Sequence, residues 1–185
     1  MSICVFFGTF NPIHNAHLKM AEFALSKFGF EKIVFVPAYI PPHKEVDKSL
    51  AKHRFNMVKI ATLPNPKFEV SDIEYKSEGK SYSLITVKKI INEYQVKGRL
   101  NFIIGTDAFK KIRSWYRADE LKELVHFIVF RRNGSEINAE DFKDYSFEFA
   151  NMEQIDVSST EIRTEHKDNT TREVKDYIEN NELYA

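Results

Sequence analysis

Ile3-Cys4-Val5-Phe6-Phe7-Gly8-Thr9-Phe10-Asn11-Pro12-Ile13-His14-Asn15-Ala16-His17 is the stretch on which the fold turns. Ile3 to Phe7 is an unbroken apolar run ended by Gly8, the pattern of a strand buried on both faces. Asn11-Pro12 makes a turn. Beyond it Leu18, Ala21, Leu25 and Phe28 recur at helical spacing until Gly29 stops them. Strand, glycine-ended loop and helix, in that order, open a parallel α/β sheet.

The alternation continues outward from there. Lys32 to Val36 reads as a second buried strand closed by Pro37, and the Pro-rich loop Pro37 to Lys44 leads to a helix carrying Phe55, Val58 and Ala61. Phe68 to Ser71 is a short third strand. Leu84, Val87, Ile91 and Tyr94 mark another amphipathic helix, and Leu100 to Ile104 is a fourth strand closed by Gly105. Short helices are expected over 107–124 around Trp115, then a fifth strand over Val125 to Phe130. Arg131 to Asp144 is a charged surface excursion, and 147–157 holds one more short strand. Ser158 opens a helix, and Thr170 with Glu173 forms a capping box for the last one. The expectation is a doubly wound, mostly parallel sheet with helices on both faces, one domain over 1–185. Ligands in such sheets lie beyond the carboxyl ends of the strands.

The chain has 185 residues, 43% hydrophobic and 29% charged, with 27 Lys plus Arg balancing 27 Asp plus Glu. No global field draws it to nucleic acid or an acidic membrane, so any anion site is local. The single cysteine, Cys4, lies in an apolar run and reads as a small buried hydrophobe of a reducing compartment. The N-terminus lacks the basic flank of a signal peptide, no run nears the ~20 apolar residues of a span, and the cytoplasm is the expected location.

Chemistry concentrates in two segments. His14 and His17, at i and i+3, share one side of the first helical turn, beside the positive end of the helix and a glycine that admits a ligand. A lone histidine there is more often structural; a pair on one face points to phosphate work. Val157-Ser158-Ser159-Thr160-Glu161-Ile162-Arg163 loads a helix start with hydroxyls and puts Arg163 one turn in. Ser158 and Glu161 alone would be a capping box, yet such a start is also a phosphate cradle. A third group sits just past strand ends: Pro41-Pro42-His43-Lys44, Ser81-Tyr82-Ser83 with Thr86, Gly105-Thr106-Asp107, Trp115 and Arg131-Arg132. His43, His53, His126 and His166 are scattered without cysteine partners, and no cluster has zinc spacing.

The first segment resembles the Thr/Ser-Phe-Asp-Pro-x-His-x-Gly-His signature of the nucleotidyltransferase superfamily, with Asn11 for the usual Asp, Ala16 for the usual Gly, and Phe7 where a Gly often precedes Gly8. The second resembles that superfamily's Ile-Ser-Ser-Thr-x-Ile-Arg. With the third group, the resemblance extends across almost the whole chain to bacterial nicotinate-nucleotide adenylyltransferases. It implies a Rossmann-like nucleotidyltransferase fold in which the helices of 158–185 complete the ATP site. It implies ATP contacts from Gly8, Thr9, Phe10, His14, His17, Gly105, Asp107, Ser158, Ser159, Thr160 and Arg163, with Asp107 on a ribose hydroxyl. It implies catalytic roles for His14, His17, Lys44 and Arg163, and acceptor contacts from Lys44, Tyr82, Thr86, Trp115 and Arg132, Trp115 offering its face to a pyridine ring. Mg²⁺, implied with the triphosphate, would be held by phosphate oxygens and water rather than by protein ligands. Small molecules, not nucleic acid or membrane, are the expected partners, and a homodimer stays open. Transfer to nicotinamide mononucleotide or phosphopantetheine, and a non-catalytic nucleotide sensor on the same fold, are the alternatives.

Overall fold

The computed structural model describes residues 2–153, 157–165 and 168–185; His166 lies outside them. Six strands, β1 (Ile3–Gly8), β2 (Lys32–Pro37), β3 (Phe68–Val70), β4 (Leu100–Gly105), β5 (Val125–Phe130) and β6 (Phe147–Ala150), form one parallel sheet in the order β3-β2-β1-β4-β5-β6. The helices are α1 (Asn15–Phe28), α2 (Ala51–Thr62), α3 (Ser83–Glu93), α4 (Thr106–Phe109), α5 (Ala118–Leu124), α6 (Ser159–Glu165) and α7 (Arg172–Asn180). The chain winds outward from β1 to β3, returns to β4 beside β1, and winds the other way to β6. The switch in strand order therefore falls between β1 and β4, where the carboxyl ends are Gly8 and Gly105.

Alternation along the buried strands divides the core into two layers. Val5, Val34, Phe102, Ile104, Phe127 and Val129 face one side, packed with Leu84, Val87 and Ile90 of α3 and Leu121 of α5. Cys4, Phe6, Phe35, Ile103, Ile128 and Phe130 face the other, packed with Ala21 and Ala24 of α1, Met57 and Val58 of α2, and Val174 of α7. The thiol of Cys4 is fully buried, and burial pushes its pKa well up, as an inert hydrophobe requires. Gly29 ends α1 in the left-handed conformation (φ 68°) and donates its N–H to the Leu25 carbonyl at 3.1 Å.

Three expectations need correction. The cap of α7 is Thr171, whose hydroxyl accepts from Val174 N, because the Thr170 hydroxyl is already donated to the Ile13 carbonyl at 2.9 Å. The excursion after β5 is not wholly superficial: Phe142 and Ser135 turn inward, Phe142 stacking 4.7 Å from Phe109. On α2 the inward stripe is Ala51, Arg54, Met57, Val58 and Ala61, with Phe55 only half-buried.

Arg54 is the unusual member of that stripe, a fully buried cation. Its guanidinium donates to the carbonyls of Thr9 at 2.9 Å, Ala38 at 2.6 Å and Tyr39 at 3.0 Å. It thus ties the loop after β1 to the loop after β2. Replacing Arg54 by Met would leave three carbonyls without their donor, at about 1–3 kcal/mol for each that stays buried. We expect Arg54→Met to lose about 3 kcal/mol or more in a urea melt; a wild-type midpoint would show that the clamp is dispensable.

A cation-lined cavity at the switch point

A cavity of about 930 Å³ opens at the carboxyl ends of β1 and β4, large enough for a nucleotide. Gly8 admits the loop above it: a Cβ there would lie 2.7 Å from Cζ of Phe10. Phe10 is buried between Phe6 and Phe35 and meets the His17 ring edge-on at 5.0 Å. The first loop is thus a packed support for the histidines.

His14 caps α1 in an extended conformation, and its ring stacks on that of His17 at 3.6 Å, 17° from parallel. The His14 backbone N–H donates to His17 Nδ1 at 3.1 Å. A neutral ring whose Nδ1 accepts must carry its proton on Nε2. Burial holds His17 well below the ordinary histidine value, with the charges of His14 and Lys44 adding to the effect. His14 is lowered to about 4, by burial first and Arg132 second. Lys44 is lowered by desolvation and then by Arg163. Lys44, Arg132 and Arg163 thus line the cavity beside two histidines held neutral, in a chain of zero net charge.

The C-terminal segment shapes the opposite wall. Arg163 donates to the Asn11 carbonyl at 2.7 Å, Ser159 Oγ to that of Pro12 at 2.8 Å, and Thr170 to that of Ile13. Three successive carbonyls of the loop are pinned by three side chains. Asn15 N adds a bond to the Asn169 carbonyl at 2.9 Å.

Of the residues singled out in the sequence, Gly8, Thr9, Phe10, His14, His17, Lys44, Gly105, Asp107, Arg132, Ser158, Ser159, Thr160 and Arg163 all line this cavity. Asp107 pairs there with Arg132 at 3.3 Å. Ala16 also lines it, so its methyl group forms part of the wall. Tyr82, Thr86 and Trp115 do not line it. Tyr82 stacks on Tyr116 at 4.6 Å, and Trp115 packs between His43 and Phe102, each 6.3 Å away. The Thr86 hydroxyl donates to the buried Glu74 carboxylate at 3.0 Å and its N–H to the Tyr82 carbonyl at 3.3 Å.

Arg54, Glu74 and Tyr184 were missed by sequence reasoning. Arg54 has a visible signal, an arginine at helical spacing with Met57, Val58 and Ala61. Glu74 has none, because it sits in an irregular loop. Tyr184 has none either, and reaches the cavity only by tertiary folding.

The cytidylyltransferase-like family model matches residues 5–165, from β1 to the end of α6, and the chain belongs to that family. It is 38% identical over 189 residues to the nicotinate-nucleotide adenylyltransferase of Bacillus subtilis (strain 168), covering 98% of this chain and 97% of that protein. It is 34% identical over 197 residues to the probable nicotinate-nucleotide adenylyltransferase of Caldicellulosiruptor saccharolyticus, covering 100% and 99%. In fold it superposes on a Plasmodium falciparum nicotinic acid mononucleotide adenylyltransferase complexed with NaAD, with a TM-score of 0.83 at 23% identity and 99% and 97% coverage. No helix among the described residues is long and apolar enough to cross a membrane.

Glu74 gives a pH test of this architecture. Burial raises its pKa to about 7, against the lowering effect of Ser81, Thr86, the Tyr39 N–H and Arg54. Between about pH 4.5 and pH 7 the folded carboxyl holds a proton that the unfolded one has lost, so its contribution to stability falls as pH rises through that window. Glu74→Gln removes the titration. We expect the variant to melt close to wild type at pH 4.5 and several degrees higher at pH 8, read by circular dichroism; an equal difference at both would contradict it.

Proposed function

We infer that the protein transfers AMP from ATP to nicotinate mononucleotide, forming deamido-NAD and pyrophosphate in NAD biosynthesis. The observation that carries this is geometric: the stacked pair His14 and His17 lines one cavity with the cations Lys44, Arg132 and Arg163 at the switch point, a lining suited to a polyanion. The full-length relatives support the same reading. A cytoplasmic site of action fits NAD synthesis.

The acceptor phosphate is mostly dianionic at pH 7, its second pKa being ~6, so no general base is needed. An acceptor oxygen attacks the α-phosphorus in line; the bond from that phosphorus to the bridging oxygen breaks, and its electron pair leaves with pyrophosphate. Alignment and charge stabilisation do the work. His17, neutral and protonated on Nε2, donates to a phosphoryl oxygen at any pH near neutrality without losing a proton. His14 stacks beside it to fix the ring plane. Lys44 balances charge on the acceptor or pyrophosphate side. Arg163 and the hydroxyls of Ser158, Ser159 and Thr160 hold the β and γ phosphates, and Asp107 takes a ribose hydroxyl.

The cavity's carboxylates suit a magnesium ion carried in on the triphosphate rather than one caged by protein. Asp47 accepts from Ser49 N and Oγ, Asp107 pairs with Arg132, and no group of three or more metal-ligating side chains occurs among the described residues. Bound so, Mg²⁺ would neutralise charge developing on the phosphates.

The acceptor ring is assigned to the neighbourhood of Tyr82, Thr86, Trp115 and Lys44. In the first turn of α3 the N–H groups of Ser83 and Leu84 have no carbonyl one helical turn back. A carboxylate accepts from such donors, whereas an amide also presents N–H groups against them. Two mismatched donors at about 1–3 kcal/mol each correspond to a preference of roughly 10² to 10⁴. We expect kcat/KM for nicotinate mononucleotide to exceed that for nicotinamide mononucleotide by at least about a hundredfold. Pyrophosphate release from ATP and Mg²⁺ with these two acceptors and phosphopantetheine measures it; comparable values for acid and amide would leave only adenylyl transfer. We also expect His17→Ala to lower turnover by about 10²-fold or more in a protein that melts normally. Wild-type turnover would remove His17 from the mechanism.

A further inference from the structure

Tyr184 reaches the cavity from the segment after α7 and belongs to none of the motifs above. Val174 anchors α7 in the core, and the Tyr177 hydroxyl meets His53 Nδ1 at 2.8 Å and Asn56 Nδ2 at 3.1 Å on α2. The chain then turns: Leu183 N donates to the Ile178 carbonyl at 3.0 Å, and Leu183 and Tyr184 pack against the α1–α2 layer of the core. Glu182 and Tyr184 hold φ values of 51° and 61°. Non-glycine residues adopt that conformation at an energetic cost, so the surrounding contacts must favour it.

One of those contacts is the hydrogen bond from the Tyr184 hydroxyl to Asn11 Oδ1. Asn11 is buried, lines the cavity, and already gives its backbone carbonyl to Arg163. The two bonds together fix both ends of this residue, three positions before His14. With Oδ1 engaged, the amide nitrogen must lie on the other side of the Asn11 side chain, and its orientation is no longer free to flip. Burial pushes the tyrosine pKa up, so the hydroxyl remains a donor across the working pH range.

We propose that Tyr184 is a positioning residue for the ATP half of the site, acting through Asn11 to hold the loop that presents the histidine pair. The proposal rests on the assignment of this cavity to ATP. It predicts a selective effect. Tyr184, Asn11, Arg163 and Thr160 stand on one wall, whereas Tyr82, Thr86 and Trp115 lie outside the cavity lining altogether.

The test is calorimetric titration of a non-hydrolysable ATP analogue with Mg²⁺ into the wild type, Tyr184→Phe, Asn11→Ala and the double variant. Steady-state kinetics with nicotinate mononucleotide run in parallel. Loss of one hydrogen bond should weaken the analogue about three- to tenfold in Tyr184→Phe. The double variant should be no more than about twofold weaker than Asn11→Ala, because both changes break the same bond. The KM for nicotinate mononucleotide should stay near wild type, and the melting temperature should fall by no more than the few degrees that one lost hydrogen bond accounts for. An unchanged analogue affinity in Tyr184→Phe would overturn the proposal. So would additive losses in the double variant, or equal losses for both substrates with a lowered melting temperature. A wild type that binds the analogue but makes no product from nicotinate mononucleotide would instead overturn the acceptor assignment, and the Tyr184 comparison would still be readable.

Discussion

One buried guanidinium bridges two loops that the backbone joins only at their starts, where Ala38 N donates to the Gly8 carbonyl at 2.9 Å. Arg54 reaches from α2 under the sheet's carboxyl edge and takes carbonyls from the loops after β1 and β2. Those loops carry Thr9 to His17 on one side and Lys44 on the other. Both are irregular backbone near the core, where carbonyls cannot be left to a helix or ladder and must find a donor. An arginine is suited to this because its planar fork serves several acceptors at once and its charge is never lost. Burial disfavours this cation and lowers its pKa, and nearby ionisable groups, Glu74 among them, act against that effect. The geometry of the cavity therefore depends on a residue that does not line it.

The parallel sheet was legible because buried strands leave a coarse mark. Ile3 to Phe7, Lys32 to Val36, Leu100 to Ile104 and Val125 to Phe130 are apolar throughout, and each ended within one residue of its expected limit. The cavity was legible for the same reason that the fold was: His14, Lys44, Asp107, Arg132 and Ser158 all follow strands or open helices, and the topology does the gathering. What was not legible depends on side-chain direction. Thr86 sits one helical turn into α3, as a substrate-facing hydroxyl would, yet it turns inward because Glu74 offers a buried acceptor. The cap of α7 moved by one residue because the Ile13 carbonyl, 157 residues away, competes for Thr170. No periodicity carries information of that kind.

The electrostatics of the site reverse the intuition that a histidine in a cation-lined cavity should itself be cationic. Burial first, and surrounding positive charge second, hold His14 and His17 neutral. A neutral imidazole with its proton on Nε2 presents a dipole to the cavity and adds no full charge to those of Lys44, Arg132 and Arg163. The permanent positive charge is left to the residues at the rim and on the C-terminal wall. Charge and direction are thus supplied by different residue types.

The pinning of the Asn11, Pro12 and Ile13 carbonyls has a further consequence for how the molecule comes into being. The partners of those carbonyls lie 147 to 157 residues later in the chain, and the partner of the Asn11 side chain 173 residues later. A ribosome delivers β1 and its loop well before the segments that shape that loop. Until those later segments emerge, the nascent chain carries the histidine pair without the wall that organises it, and the shape of the cavity is deferred with them.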